Sequence, residues 1–227
     1  MLKLIFISVV SMSLFLQSSA AQKEDSLAIT HKPLTLALGT NIAPFIIQLT
    51  DPSRKGFNIT GRIGFRQNWF GVAEVGYENV DYKSAKFNYF SNGTGIKLGV
   101  DYNVFHPKDA DNNDNILFGC RYGVAWQQQS SSNYTVENGY WGSYSGTVPQ
   151  YGLVSQFVEI IFGIRTEVFK NFYMGLGVQA RGLIYSNNKD VLDPTSIPEY
   201  GKPNHLNFGF SYNLEYQLPN FGKKSKK

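Results

Sequence analysis

Charged residues recur on alternate positions of segments whose other face is apolar: Arg62, Arg66, Glu74, Lys97, Asp101, Arg121, Glu159, Arg165, Glu167, Arg181 and Glu215. Acidic and basic types are nearly balanced. In a confined space such a set can pair into an ionic network, line a narrow polar channel or relay protons. An unpaired buried charge costs several kcal/mol, so a paired network that plugs the space is the expectation. Inward glycines at 99, 119, 123, 163, 175, 177 and 209 leave room for the long side chains.

Catalytic and metal-binding patterns are weaker. The histidines, His31, His106 and His205, fall near predicted strand ends or turns. A hydrolase needs a base beside its nucleophile, and Ser211 lies roughly 20 Å along the strand from His205. Ser186 could approach His205 only through the last hairpin. The run Asp109-Ala110-Asp111-Asn112-Asn113-Asp114 opens like a calcium loop, but its sixth position is not glycine and its twelfth is Cys120. Gly93-Thr94-Gly95 and Gly175-Leu176-Gly177 precede no helix, so neither is a dinucleotide fingerprint. No catalytic residue, metal ligand or cofactor is assigned. Cys120, in phase with Phe118 and Tyr122, has no partner for an intramolecular disulfide and is expected to be a buried structural thiol.

The elements that must position these residues are strands. From Gly95 the chain alternates Ile96, Leu98, Val100, Tyr102 and Val104 with Lys97, Gly99, Asp101 and Asn103, the period-two signature of a strand with one apolar face. Eight strands are predicted, over 33–40, 57–66, 69–80, 93–104, 115–128, 152–169, 172–185 and 205–218. Long polar connections over 41–56, 81–92, 129–151 and 186–204 alternate with the turns Gln67-Asn68, 105–114 and Lys170-Asn171. Such alternation is typical of barrels whose apolar face meets lipid. In hydrocarbon an open edge would leave backbone groups unpaired, so the sheet must close. The expected fold is all-β, an eight-stranded antiparallel transmembrane up-and-down β-barrel. A soluble sandwich with its apolar faces packed together is the competing architecture.

Residues 1–20 read as an export signal: Lys3, an apolar run, then Ser18-Ser19-Ala20. A short periplasmic segment, 21–32, precedes the barrel, 33–218, and a basic tail, 219–227, follows it. Removing the signal takes the formal charge from +4 to +3. No basic stripe supports nucleic-acid binding. Trp69, Tyr77, Tyr102, Trp126, Phe172 and Tyr212 point outward and would include interfacial girdles. Tyr134, Tyr140, Trp141 and Tyr144 suit contact with an extracellular protein or glycan. The last strand carries Asn207-Phe208-Gly209-Phe210-Ser211-Tyr212-Asn213-Leu214, a pattern similar to the signal read by barrel-insertion machinery.

Several stretches carry a family resemblance: 96–103, Gly119-Cys120-Arg121-Tyr122-Gly123, Tyr140-Trp141-Gly142, 159–167, Lys170-Asn171 and Ile197-Pro198-Glu199-Tyr200-Gly201. Together they resemble small outer-membrane proteins of Bacteroidetes-type bacteria grouped under an uncharacterised domain. The resemblance implies a diderm envelope, outer-membrane lipid as surroundings and a small barrel, and brings no catalytic residues. The expected role is a structural or surface-interaction envelope protein with a charge-plugged interior. A lipid-modifying enzyme using His205, or a narrow porin-like channel, is the alternative.

Overall fold

The structure, a computed structural model, describes residues 34–66, 68–84, 87–105, 113–138, 142–187 and 194–219, with the backbone alone for 133–138, 143 and 144. The predicted export signal, the segment 21–32, nearly all of the basic tail, His31, His106, Tyr140, Trp141 and most of the calcium-like run lie outside these residues.

Eight strands form one closed ring. They are β1 (Thr35–Asn41), β2 (Arg54–Arg66), β3 (Trp69–Lys83), β4 (Asn88–Asn103), β5 (Asn115–Asn138), β6 (Gly142–Phe169), β7 (Phe172–Ser186) and β8 (Leu206–Gln217). Each pairs antiparallel with the next, and β1 pairs with β8 from Ala37↔Gln217 to Asn41↔Asn213. Closure removes sheet edges over the paired length. It also excludes the sandwich, because the ring encloses charged side chains rather than two facing apolar sheets.

The wall alternates as expected. In β4, Lys97 and Asp101 are buried while Ile96, Leu98 and Val100 are exposed. Outside, the aromatic row Trp69, Tyr102 and Phe118 lies eight residues along the strands from the row Phe57, Tyr77 and Trp126. At strand rise and a tilt near 40°, that separation is about 20 Å, close to the height of a barrel's apolar band. The β2–β3 and β6–β7 connections are two-residue turns whose second residues, Asn68 and Asn171, have φ of 66° and 65°. Asparagine tolerates this left-handed conformation better than most side chains.

Three expectations change. First, two of the long polar connections are mostly strand. β3 and β4 pair as far as Lys83↔Asn88, and β5 and β6 as far as Asn138↔Gly142. Ser, Asn and Gln lack the apolar alternation used to delimit strands, yet the hydrogen-bonded ladder continues through them. A strand needs only about 10 residues to span a membrane; β5 has 24 and β6 has 28, well beyond the lengths of the other strands. Second, the connection after β1 holds a helix, α1 (Ala43–Thr50), with proline in its first turn. Asn41 Oδ1 accepts from the Ala43 and Tyr212 N–H groups, both at 3.0 Å, tying β1, α1 and β8 together. Third, Cys120 is exposed rather than buried. It does share a face with Phe118 and Tyr122, but in a closed barrel the apolar face is the outer one.

Candidate functional site

The lumen holds the charges. Arg62, Glu74, Lys97, Asp101, Arg121, Glu159, Arg165 and Glu215 are buried, and Arg181 is nearly so. At the end near the β6–β7 turn, Arg165 Nε lies 2.8 Å and Arg62 Nε 3.2 Å from Glu215 Oε2. The Arg165 guanidinium also stacks 3.5 Å from the Tyr173 ring centre. Arg62 reaches on to Asp101, which Arg121 Nη2 contacts at 3.2 Å. Arg121 continues to Glu74 and, at 3.4 Å, to Glu159. Lys97 Nζ is 2.6 Å from Glu74 and 3.4 Å from Glu159, and Arg181 Nε is 2.7 Å from Glu159. The chain of contacts is continuous from Arg165 to Arg181.

Two expected members stand outside it. The register shift between Gly64 and Arg66 breaks the alternation, and Arg66 is exposed at the barrel rim with Phe65. Glu167 instead closes the β6–β7 turn. Its carboxylate accepts from the Asn171 N–H and from Asn113 Nδ2, both at 2.6 Å.

The strands alone do not balance. They supply Arg62, Lys97, Arg121, Arg165 and Arg181 against Glu74, Asp101, Glu159 and Glu215, five cations to four carboxylates. The fifth carboxylate is Glu199, from the β7–β8 connection, 3.0 Å from Lys97 Nζ. Glu199 Oε1 also accepts from Asn58 Nδ2 at 2.7 Å. The connection therefore folds back into the barrel. Ile197 and Gly201 exchange two backbone hydrogen bonds of 2.8 Å, making a tight reversal whose tip is Pro198-Glu199-Tyr200. Glu199 has φ of 64° and Gly201 of 98°. That left-handed geometry is costly for glutamate, and seating its carboxylate on Lys97 offsets the cost.

An apolar layer covers the ionic one. Ile197 and Tyr200 pack on Ala125 and Phe157, all fully or almost fully buried, and the Phe157 and Tyr200 rings lie 5.2 Å apart. Burial raises the Tyr200 phenol above its ordinary pKa, and the neutral hydroxyl donates to the Asn204 carbonyl. Above this, Gln127 Nε2 donates to the Ser196 carbonyl at 3.2 Å and Tyr89 accepts from the Thr195 N–H at 3.2 Å. Near the other end, a cavity of about 20 Å³ beside Arg62 and Arg165 has room for about one water.

The plug was not anticipated from the sequence, yet a signal for it is present. Gly76 and Gly95 sit opposite each other on β3 and β4, on the inner face. A Cβ at Gly95 would lie 2.9 Å from Glu199 Cγ and 3.0 Å from the Pro198 carbonyl oxygen, and one at Gly76 would collide with the Glu199 carboxylate. Opposed inward glycines in a wall of long side chains mark a hole that another segment fills.

Elsewhere, the Ser186 hydroxyl is within 2.9 Å of the Ser155 hydroxyl. The His205 carbonyl accepts from the Leu183 N–H at 3.0 Å. Among the described residues no group of three or more His, Cys, Asp or Glu side chains is arranged to hold a metal ion. The proposed contact residues Tyr134 and Tyr144 lie on the β5–β6 hairpin backbone.

Fold and lumen together define a closed eight-stranded antiparallel barrel with an apolar exterior and a buried, ion-paired interior. The chain belongs to the family described as a domain of unknown function, DUF6048, whose model matches residues 1–224. No curated protein matches it. Among solved structures it is similar to a major outer membrane protein of Thermus thermophilus (TM-score 0.49, 8% identity, 82% of this chain and 98% of that one). It is also similar to Ail, the attachment invasion locus protein of Yersinia pestis (TM-score 0.41, 9% identity, 82% and 97%), and to Neisserial surface protein A (TM-score 0.33, 11% identity, 82% and 96%).

Proposed function

We propose that this protein is an outer-membrane barrel of a diderm bacterium, of the Bacteroidetes type, that does not conduct solutes and acts through its external hairpin. The observation that carries this reading is the lumen, where five cations and five carboxylates pair in one connected set beneath an inserted loop. An eight-stranded barrel is only wide enough for its interior to be filled by side chains, and here they are locked to one another. The apolar exterior and aromatic rows support a lipid setting, and the expected signal at 1–20 supports export. The alternating β8 pattern supports delivery by barrel-insertion machinery. The β5–β6 hairpin supplies the contact surface, with Tyr134, Tyr140, Trp141 and Tyr144 as its candidate groups for an extracellular protein or glycan.

Planar-bilayer recording of the full folded chain tests the closed lumen. The expected result is no steady unit conductance. A stable, ion-selective current would refute it and favour the narrow channel.

A further inference from the structure

We infer that the barrel wall carries a lateral binding site for a lipid with a net anionic phosphate headgroup, at the gap between β2 and β8 above the end of β1. This deepens the membrane-barrel reading and rests on it. β1 is only seven residues long. Its ladder with β2 ends at Thr40↔Ile59, and its ladder with β8 ends at Asn41↔Asn213. Beyond those pairs, among the described residues, no strand lies between residues 54–58 of β2 and 206–211 of β8. The chain turns into α1 instead, which leans on both strands.

The gap opens into a cavity of about 430 Å³, within the size range of small-molecule sites. Its inner part is polar. Inside, Arg54 pairs with Glu78 at 3.2 Å, Arg181 with Glu159 and Glu199 with Lys97, so the cations left over are the exposed Lys55 and Lys202 at the mouth. Its outer part is apolar, formed by Ile47, Phe57, Phe208 and Phe210. The surrounding wall is apolar too, with Phe208 exposed by 73% and Leu49 of α1 by 84%. The opening therefore lies level with the Phe57 and Tyr77 aromatic row, where lipid headgroups would meet acyl chains.

That placement selects the occupant. Where β1 ends, β2 and β8 have no ladder partner between them, and a backbone group without a partner in an apolar setting costs several kcal/mol. Phosphate oxygens can accept from such N–H groups and from the guanidinium and ammonium groups beside them. An acyl chain would cover Phe57, Phe208 and Phe210. A free anion lacks the acyl chain, and the phosphate of a zwitterionic lipid is already neutralised by the cation of its own headgroup.

Native mass spectrometry of the full folded chain in a neutral detergent tests this, with dipalmitoyl phosphatidic acid, dipalmitoyl phosphatidylcholine and inorganic phosphate as separate probes. A heat-dependent gel shift in the same sample reports the barrel independently. Expected is one phosphatidic acid per chain, bound at least about tenfold more tightly than either other probe. Lys202→Glu and Phe208→Ser each weaken it by about tenfold, while Phe162→Ser, on the outer wall away from the gap, leaves it unchanged. Both altered residues near the gap are exposed, so the heat shift persists in each variant. Equal binding of the two lipids, several adducts per chain, indifference to Lys202→Glu, or equally tight inorganic phosphate would overturn the site while leaving the barrel standing. Loss of the heat shift in the unaltered protein would overturn the barrel reading itself.

Discussion

Replacing Glu199 with glutamine isolates the plug from the wall that holds it. The substitution preserves shape and leaves an acceptor for Asn58 Nδ2, now 2.7 Å from Oε1. It removes the charge 3.0 Å from Lys97. Lys97 retains Glu74 at 2.6 Å and Glu159 at 3.4 Å, so its ammonium is not orphaned, and the full cost of an uncompensated buried charge does not apply. A lost hydrogen bond to a charged group costs about 1.5–3 kcal/mol. A value near 2 kcal/mol corresponds to about thirtyfold in the equilibrium between seated and displaced loop. The left-handed backbone at Glu199 also loses the contact that offsets it. Amide hydrogen exchange reads this directly, because the Ile197 and Gly201 N–H groups bond only within the reversal. Their exchange should accelerate by about thirtyfold while amides in the β3–β4 ladder keep their protection. Unchanged exchange at Ile197 and Gly201 would refute the claim that Glu199 latches the loop. Equal acceleration throughout the wall would show that loop and barrel open as one unit, which refutes it equally.

Glu159→Gln should be more damaging, by about 3–5 kcal/mol in denaturant unfolding, because Lys97, Arg121 and Arg181 all converge on that carboxylate. A loss below about 1 kcal/mol would mean that the network is held elsewhere. Gly95→Val should expel the loop more completely than Gly76→Ala, since the new side chain meets the Pro198 backbone rather than only a flexible carboxylate tip; exchange at Ile197 ranks the two, and the reverse order would contradict the packing. If the outer wall meets lipid as proposed, a spin label on Cys120 should collide with dissolved oxygen far more than with a water-soluble relaxant, because Cys120 is exposed on the apolar outer face, in register with Val100 and Ile160. Replacing residues 132–147 with Asn-Gly should leave the heat-dependent gel shift intact, since β5 and β6 still pair from Asn115↔Arg165 to Ser131↔Val148.

Strand number and facing were legible because both arise locally. Ile96 to Val104 against Lys97 to Asn103 is a period of two, and no other regular backbone has it. The same alternation placed Arg121 and Glu159 indoors without any knowledge of their partners, although it also carried Arg66 inward past a register shift that only the ladder reveals. It failed where polar side chains predominate on both faces. Residues 129–138 and 142–151 continue their strands through backbone bonding, and the few apolar residues there, such as Val136 and Val148, are too sparse to mark them as strand. Cys120 illustrates a different failure. The alternation already turned its face outward with Phe118 and Tyr122, and on the outside of a closed barrel no other part of the chain covers it.

The sequence by itself determined an alternating, eight-strand wall with nearly balanced charge on one face, since side-chain polarity and strand period are properties of neighbouring residues. Only the tertiary structure decided that Glu199, more than a hundred residues from Lys97, completes the charge balance, and that a short β1 leaves a gap between β2 and β8. Both depend on register around a closed ring and on the path of a connecting loop. Those are set by pairings between residues far apart in the chain, where no local pattern reaches.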